Sequence, residues 1–365
     1  MDFRIFSRLY HTKTQRQISS SASLCFRLIK IGIMCLALLG CTRVEPSRAE
    51  FALGTICHVT LYEQGREWIY RDIFSRIREI ENLMSVNIPS SDVSRINAAA
   101  GIAPVQVHEE VFRVIERAVF FAELSGGAFD PTVGPLVSLW NISDEDPRLP
   151  SREEIDEVLP LINWRDIELD ASECSVFLKR RGMALDLGAI AKGYAADEAA
   201  EVIRNARINR AIINLGGDVV ILGERKDKNP WRVGVQDPNR EVNNFLGVLL
   251  VPAADEAESF KTSVVTSGVN ERFFEKDGER FHHIFSPVAG YPVKNGLLSV
   301  TIIAANSMDA DAFSTLVFVL GFEEGTALLD SFPGADAVFV LEDLTVRKTS
   351  GVDFTLTENI YQLVP

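Results

Sequence analysis

The sequence predicts an α+β fold in which helices flank a mixed or largely antiparallel sheet. Two long segments in the first half of the chain repeat apolar residues every three to four positions, as amphipathic helices do. Six short apolar runs in the second half have the length and composition of strands, and a further helical segment follows near residue 311. Helices and strands are therefore mixed along the chain, which is the order that an α+β fold accommodates.

The first forty residues are predicted to be a lipoprotein signal peptide and not part of this fold. They contain six Lys/Arg residues, one Asp and the apolar run 31 to 40, which is too short to cross a bilayer. The sequence Leu38-Leu39-Gly40-Cys41 fits the bacterial pattern in which Cys41 is lipidated and becomes the mature N-terminus. We therefore expect a periplasmic protein anchored through lipid on Cys41, with the inner membrane as the expected location. A weakly anchored helix is the alternative.

Charge and cysteine content disfavour several classes of protein. Removal of residues 1 to 40, with six basic residues and one acidic residue, changes the formal net charge from −14 to −19. Such an acidic chain does not favour nucleic acid as a partner. Cys57 and Cys174 are the only cysteines after Cys41, too few for a disulfide framework or a cysteine-based metal site. A single Cys57–Cys174 bridge in an oxidising periplasm stays open.

Composition divides the rest of the chain into a tether and one long domain. Residues 41 to 50 are polar and contain Pro46, which is typical of a linker between a membrane and a domain. Residues 51 to 365 contain no linker, repeat or low-complexity segment. This length is large for one core, so two lobes around a cleft are an open alternative.

Local patterns predict the elements in order. A strand is predicted over 54 to 62, an amphipathic helix over 66 to 84 and a turn at 87 to 92. A second helix over 109 to 124 is closed by Gly126 and Gly127, and Asp186 is predicted to start a third helix that reaches residue 204. Strands are predicted over 211 to 223, 231 to 235, 246 to 251, 263 to 266, 281 to 285 and 297 to 305.

Asp311 and Thr315 are the most informative pair in the sequence. They lie in a stretch of small residues that is predicted to be helical, and residues four apart share one helical face. A carboxylate and a hydroxyl can therefore meet at one point, and two hard oxygens suit Mg²⁺. The competing explanation is an acid favoured by the helix N-terminus and a hydroxyl that faces the core. Asp309 lies off the face of Thr315.

Common signatures of nucleotide-binding folds, hydrolases and zinc enzymes do not occur in the sequence. It contains no G-x-G-x-x-G, G-x-x-x-x-G-K-[ST], G-x-S-x-G or H-E-x-x-H, and its five His residues offer few zinc ligands. What remains is a set of polar residues whose sequence neighbours are small or apolar. These motifs are Ser125 to Thr132, Asp186 to Tyr194, Asn214 to Asp218, Thr266 to Gly268, His282 to Pro287, and Asp311 with Thr315.

Together these motifs resemble those of FAD:protein FMN transferases, the ApbE family. The resemblance covers about residues 53 to 321 and implies an ApbE-like fold with a central flavin cleft. It implies an Mg²⁺-dependent enzyme that moves FMN from FAD to a Ser or Thr hydroxyl of an exported protein and releases AMP. Some members of the family instead hydrolyse FAD to FMN and AMP. Acceptors of the family carry Ser/Thr-Gly-Ala-Ser/Thr, which this chain lacks, and subunits of membrane redox pumps are the expected acceptors.

The resemblance also implies the residues of the site. The metal ligands would be the Asp311 carboxylate, the Thr315 hydroxyl and the backbone carbonyl of Ala189, with Ser314 near the ion. The flavin contacts would be Leu53, Asn87, Ala128, Phe129, Asp130, Asp186, Lys192 and Ile284. Asp311 and His283 would be catalytic.

His283 is the expected general base, and Lys192 is expected to bind a phosphate or a flavin carbonyl. In a strand, His282 and His283 point to opposite faces, and the family's H-I-x-x-P pattern selects His283 for the cleft. An unperturbed pKa of about 6.5 suits proton removal at neutral pH. Lys192 is placed three residues after Ala189 on one helical face. The alternatives are a structural histidine and an exposed ion pair between Lys192 and Asp186.

Asn87 is a departure from the family pattern. Many relatives have a Tyr at this position, whose ring stacks on the isoalloxazine, and an amide lacks that stacking area. We therefore hypothesise weaker retention of flavin and more hydrolysis of FAD. A non-catalytic lipoprotein that scavenges or delivers FAD is an alternative function. A purely structural lipoprotein is another, but it leaves four polar residues unexplained together, namely Asp186, Lys192, Asp311 and His283.

Overall fold

The computed structural model describes residues 47–63, 66–142, 147–240, 244–252 and 260–364. The predicted signal peptide over residues 1–40, the lipidation site Cys41 and residues 41–46 of the predicted tether lie outside these ranges. Among the described residues, none of the helices has the length and apolar character needed to span a bilayer.

Eight α-helices and seventeen strands follow one another within the described residues. The helices are α1 (Glu67–Met84), α2 (Asp92–Ala98), α3 (Glu109–Leu124), α4 (Gly134–Trp140), α5 (Arg152–Val158), α6 (Ala191–Asn205), α7 (Ser307–Leu320) and α8 (Phe322–Asp330). The strands are β1 (Ser47–Ala52), β2 (Thr55–Leu61), β3 (Val105–Gln106), β4 (Ile167–Asp170), β5 (Ser175–Leu178), β6 (Ala211–Leu215), β7 (Asp218–Leu222), β8 (Trp231–Gln236), β9 (Phe245–Val251), β10 (Lys261–Gly268), β11 (Phe273–Lys276), β12 (Glu279–His282), β13 (Leu297–Ala304), β14 (Ala335–Leu341), β15 (Thr345–Lys348), β16 (Phe354–Leu356) and β17 (Gln362–Leu363).

A nine-stranded sheet forms the centre of the fold, in the order β1-β2-β6-β7-β10-β13-β14-β15-β17. Neighbouring strands are antiparallel except β15 and β17, which are parallel. Three small sheets accompany it, in the orders β11-β12, β16-β9-β8 and β3-β5-β4. The predicted α+β class with a mixed, largely antiparallel sheet is confirmed.

Both faces of the large sheet are covered, because side chains alternate along each strand. Val264 and Val265 are neighbours in β10, yet they belong to opposite apolar clusters. Val265 faces the cluster that the helices α1, α3, α6 and α7 build. Val264 faces a cluster completed by Trp231 and Leu249 of the β16-β9-β8 sheet. The helix α7 packs on β10 and β13, which holds Asp311 against the sheet.

The sequence patterns predicted the bounds of two long helices correctly. The structure has α3 at the predicted bounds and α1 within one residue of them. The segment predicted as one strand over 211 to 223 is instead the hairpin β6–β7, since Gly216 (φ 68°) and Gly217 (φ 112°) form a turn. Residues 47 to 50, predicted as tether, are paired with β2 in β1. Cys57 and Cys174 are both free, so the bridge between them does not form.

The predicted start of the third helix at Asp186 was wrong. Asp186 Oδ1 accepts a hydrogen bond of 2.7 Å from the Gly188 N–H, a turn that competes with helix formation. Ile190 has φ −151°, outside the helical region, and α6 begins at Ala191. Ala189 and Lys192 therefore do not share a helical face.

Candidate active site

A cavity of about 270 Å³ is built from six separate segments of the chain. Two segments follow the helices α1 and α3, and a third leads into the start of α6. Two more lie at the ends of the strands β10 and β12, and the sixth is one face of α7. The predicted site residues on the cavity wall are Asn87, Ala128, Phe129, Asp130, Asp186, Ala189, Lys192, His283, Ile284, Asp311 and Thr315.

Leu53 and Ser314 are not on the wall of this cavity. Leu53 lies in the turn between β1 and β2, where its N–H donates a hydrogen bond of 2.8 Å to Glu81 Oε1. Ser314 is fully buried in α7, and its hydroxyl donates to the backbone carbonyl of Asp311 at 2.8 Å. A direct role for either residue in ligand binding stays a prediction.

Lys192 lies between two buried carboxylates at the floor of the cavity. Its ammonium donates a hydrogen bond to Asp218 Oδ2 and lies 3.4 Å from Asp311 Oδ1. Burial opposes the charge of Lys192, but Asp218 and Asp311 raise its pKa far above the ordinary value. Burial also raises the pKa of Asp218, against the attraction of Lys192. The structure therefore rules out the alternative that Lys192 forms an exposed pair with Asp186.

Asp311 is held in a fixed orientation. Its Oδ2 accepts a hydrogen bond of 2.9 Å from the Gly193 N–H, so α6 and α7 are joined next to Lys192. Asp311 is 2% exposed. It lies after the first turn of α7, whereas an acid that stabilises the helix N-terminus would lie within that turn. Asp309 instead makes two hydrogen bonds of 2.8 Å with the Arg117 guanidinium. Asp309 lies in the first turn of α7, so the alternative of an acid favoured by the helix N-terminus fits Asp309 better than Asp311.

Three hydroxyl oxygens lie close to one another where β10 packs on α7. Ser267 Oγ, from the end of β10, lies 2.8 Å from Ser314 Oγ and 3.3 Å from Thr315 Oγ1. Within the described residues, no three His, Cys, Asp or Glu side chains are grouped as a metal site. Mg²⁺ commonly uses one or two carboxylates and takes its other ligands from waters and substrate phosphates. The Asp311 carboxylate, the Thr315 hydroxyl and Ala189 on the same wall fit that donor set.

His283 lies on the cavity wall, just after the end of β12, and was predicted to lie within a strand. Its Nδ1 is 3.2 Å from the Arg272 carbonyl. Because a carbonyl only accepts, we assign the proton to Nδ1, which leaves Nε2 as the basic atom. Burial, with the nearby charge of Arg272, lowers the pKa of His283 to about 3. The expectation that His283 has an ordinary pKa was wrong. The imidazole is nevertheless neutral at neutral pH, as a general base must be.

His282 points away from the cavity, as the choice between the two histidines predicts. It is 4% exposed, its Nε2 lies 2.9 Å from the Val293 carbonyl, and its ring meets Phe318 edge to face. Burial lowers the pKa of His282 as well. The structural role that was the alternative for a histidine in this motif therefore belongs to His282.

Three charged residues of the site were not identified from the sequence. Asp218 lies in the Asn214 to Asp218 motif, in which only the glycines were interpreted. Glu271 and Arg272 lie on the cavity wall a few residues after Ser267. They belong to a charged segment that reads as a solvated loop, so no local signal distinguishes them.

A sequence profile of the ApbE family matches residues 53–339 of this chain. The chain belongs to the ApbE family. Relatives named FAD:protein FMN transferase include one from Treponema pallidum, 39% identical over 325 residues (84% of this chain and 88% of the relative). Another, from Klebsiella pneumoniae, is 40% identical over 294 residues (80% of this chain and 89% of the relative).

Solved structures of ApbE proteins have the same fold. The crystal structure of the ApbE protein from Thermotoga maritima has a TM-score of 0.73 at 35% identity and covers 86% of this chain and 97% of that one. The flavin transferase ApbE from Vibrio cholerae has a TM-score of 0.72 at 23% identity, over 87% of this chain and 98% of that one. The second similarity supports the fold alone.

In this ApbE-family chain, Asp130 is held by protein groups. Its Oδ1 accepts hydrogen bonds from the Thr132 N–H (2.8 Å) and hydroxyl (2.6 Å), and its Oδ2 accepts one from the Trp164 N–H (3.0 Å). Burial raises the pKa of Asp130. Phe129 is 5% exposed and its ring centroid lies 6.0 Å from that of Phe121. Both residues are buried and line the cavity wall.

Proposed function

We propose that this protein transfers FMN from FAD to a Ser or Thr hydroxyl of an exported protein and releases AMP. The observation that supports this proposal is one cavity that combines a partly buried ammonium, a fixed carboxylate and a neutral imidazole. Phosphoryl transfer needs these functions, since phosphate charge must be balanced and a hydroxyl proton removed. The names of the ApbE relatives support the same activity.

His283 removes the proton of the acceptor hydroxyl in this proposal. The Arg272 carbonyl holds the proton on Nδ1, so Nε2 offers a lone pair to the cavity. The acceptor oxygen forms a bond to the FMN phosphorus while the phosphoanhydride bond to AMP breaks. AMP leaves with the electron pair of that bond, and the hydroxyl proton passes to Nε2 of His283.

Asp311, Thr315 and the Ala189 carbonyl would hold Mg²⁺ in this proposal. The bound ion supplies charge neutralisation at the pyrophosphate. Lys192 brings a second positive charge to the same place, and its contact with Asp218 keeps that charge fixed. The Gly193 N–H orients the Asp311 carboxylate in advance, which limits the reorganisation that ligand binding requires.

Hydrolysis of FAD to FMN and AMP is a second candidate activity. Asn87 lies on the cavity wall, where its amide offers a flavin ring little stacking area. A less firmly held flavin leaves room for water at the position of the acceptor hydroxyl. The same base and the same leaving group then serve hydrolysis, with water as the nucleophile.

The proposed location is the periplasmic side of the inner membrane, with the protein held by lipid on Cys41. The signal-peptide pattern and its lipobox support this proposal. The proposed acceptor is an exported protein with a Ser/Thr-Gly-Ala-Ser/Thr sequence, such as a subunit of a membrane redox pump.

The test is to incubate the purified protein with FAD and Mg²⁺ and to quantify AMP by chromatography. One sample contains a peptide with the Ser/Thr-Gly-Ala-Ser/Thr sequence, and its control peptide has Ala in place of each hydroxyl residue. AMP together with FMN-labelled peptide supports the transferase, whereas AMP with free FMN in both samples supports hydrolysis alone. Bound FAD without AMP would support the alternative of a non-catalytic FAD-binding protein.

A further inference from the structure

Glu271 is an acidic residue on the cavity wall to which the proposed reaction has so far given no role. Its carboxylate has one close partner within the described residues, since Oε2 lies 3.9 Å from His283 Nε2. The contact joins the loop after β10 to the residue after β12, and the two residues are twelve positions apart in sequence. The fold therefore brings an acid to the basic nitrogen of the proposed general base.

The orientation of His283 makes this contact specific. Its backbone N and its Nδ1 both lie 3.2 Å from the Arg272 carbonyl oxygen, so the Nδ1 edge of the ring is turned toward that carbonyl. Nε2 then faces the cavity and the Glu271 carboxylate together. A separation of 3.9 Å is too long for a hydrogen bond, but such contacts often shorten when the substrate is bound.

We propose that Glu271 is a positioning residue for flavin transfer, whose carboxylate stabilises the imidazolium of His283 after Nε2 has taken the acceptor proton. This inference rests on the proposed function. During transfer the acceptor oxygen bonds to the FMN phosphorus and AMP leaves with the electron pair of the broken P–O bond. The proton stays on Nε2 beside the Glu271 carboxylate until solvent removes it.

The charges around His283 explain why a partner is needed. Burial, Arg272 and Lys192 all disfavour a second proton on the ring and lower the pKa of His283. A base of this kind takes a proton poorly unless a nearby negative charge balances the imidazolium. The Glu271 carboxylate is the acid closest to Nε2 among the described residues.

The charges around Glu271 set the pH range in which it can act. Although its side chain is 32% exposed, removal from water raises the pKa of Glu271 to about 7. Lys192 and Arg272 favour its ionised form, whereas Asp218 and Asp311 oppose it. A raised pKa means that the carboxyl is protonated below about pH 7 and ionised above it. The activity that depends on the carboxylate should therefore rise between pH 6 and pH 8.

The test compares Glu271→Gln with wild-type protein in the AMP-release assay between pH 5.5 and pH 9. A positioned base contributes roughly 10²- to 10⁴-fold, and its partner supports part of that effect. We expect kcat at pH 8 to fall about 10- to 100-fold, while KM for FAD stays within about twofold. The rise in activity near neutral pH should be absent from the variant.

Glu275→Gln is the matched control, because Glu275 lies in β11, pairs with Arg280 at 3.1 Å and is not on the cavity wall. It should leave the rate and the pH profile unchanged. Glu271→Asp, which keeps a carboxylate, should keep the pH-dependent rise with an intermediate rate. It also tests the inference if the Gln variant does not fold, which circular dichroism would reveal.

The failure of this inference can be told apart from the failure of the proposed function. Wild-type protein that releases no AMP would refute the function and the inference with it. Active wild-type protein with an equally active Glu271→Gln variant and the same pH profile would refute the inference alone. A variant that changes only KM or FAD affinity would also refute it, because Glu271 would then act in binding.

Discussion

Gly193→Ala is the substitution that most directly tests how α6 and α7 form the site. A Cβ at Gly193 would lie 2.7 Å from Met308 Cα and still closer to the Ser307 carbonyl oxygen. Both neighbours are backbone atoms, so no side-chain rotation relieves the overlap. Ordinary contact needs about 3.4 Å, and the two helices must therefore separate by roughly 0.7 Å or more.

Two opposing effects determine the stability of this variant. Alanine favours a helix over glycine by about 1 kcal/mol. Overpacking of a close contact costs about 1–3 kcal/mol. We therefore expect a net loss of about 0–2 kcal/mol in the free energy of unfolding, measured from urea unfolding curves.

The effect on activity should exceed the effect on stability. Separation of the helices lengthens the Gly193 N–H to Asp311 Oδ2 hydrogen bond and moves Lys192 relative to Asp311. A displacement of about 1 Å can slow a positioned reaction by about 10²-fold. AMP release should fall by that order, even at temperatures at which the variant is fully folded.

Gly325→Ala is the control, since it makes the same change in another buried helical glycine. There a Cβ would lie 2.7 Å from a methyl group of Val317, which can move. This variant should keep its activity. Unchanged activity and an unchanged unfolding midpoint for Gly193→Ala would refute the argument that this close approach fixes the site.

The remaining predictions concern the metal, the flavin and the two cysteines. Asp311→Asn keeps an oxygen for the Gly193 N–H but loses the charge, so AMP release should fall at least ~10²-fold and Mg²⁺ should no longer raise the melting temperature. Asn87→Tyr should tighten FAD binding about 2- to 10-fold in a fluorescence titration and slow FAD hydrolysis, because aromatic stacking contributes about 0.5–1.5 kcal/mol. Slower turnover without tighter binding would contradict that reasoning. Burial raises the pKa of the Cys57 thiol to about 11, so a thiol reagent at pH 7.5 should modify half-exposed Cys174 in the folded protein and Cys57 only after unfolding, as peptide mass spectrometry can show.

The long amphipathic helices could be predicted because their own periodicity specifies the buried face. The helices α1 and α3 each present a continuous apolar stripe to the core, and their bounds follow from it. The strand β1 gave no such signal, since Ser47 to Phe51 are all exposed and only Ala52 is buried. Its pairing with β2, and not its composition, makes it a strand. At Asp186 a side-chain hydrogen bond to the backbone outweighs helix propensity.

The motifs of the candidate site could be predicted from the sequence, but the pairing of its charged side chains could not. His283 and Asp311 stand in recognisable spacings, and the structure brings both to one cavity. Glu271, which lies near His283, and Asp218, which pairs with Lys192, come from other segments, so only the folded chain shows which charges meet. The lowered pKa of His283 likewise depends on burial that the sequence does not reveal.

Lys192 has a consequence for how this protein folds. Two buried acids without a cation would repel each other, and uncompensated buried charge destabilises the folded state. Here the ammonium lies between Asp218 and Asp311, so the polypeptide carries its own counter-charge. We therefore expect the chain to fold before it binds any metal ion. Metal-free protein should therefore unfold in one cooperative transition, and a molten, non-cooperative melt in a chelator would contradict this.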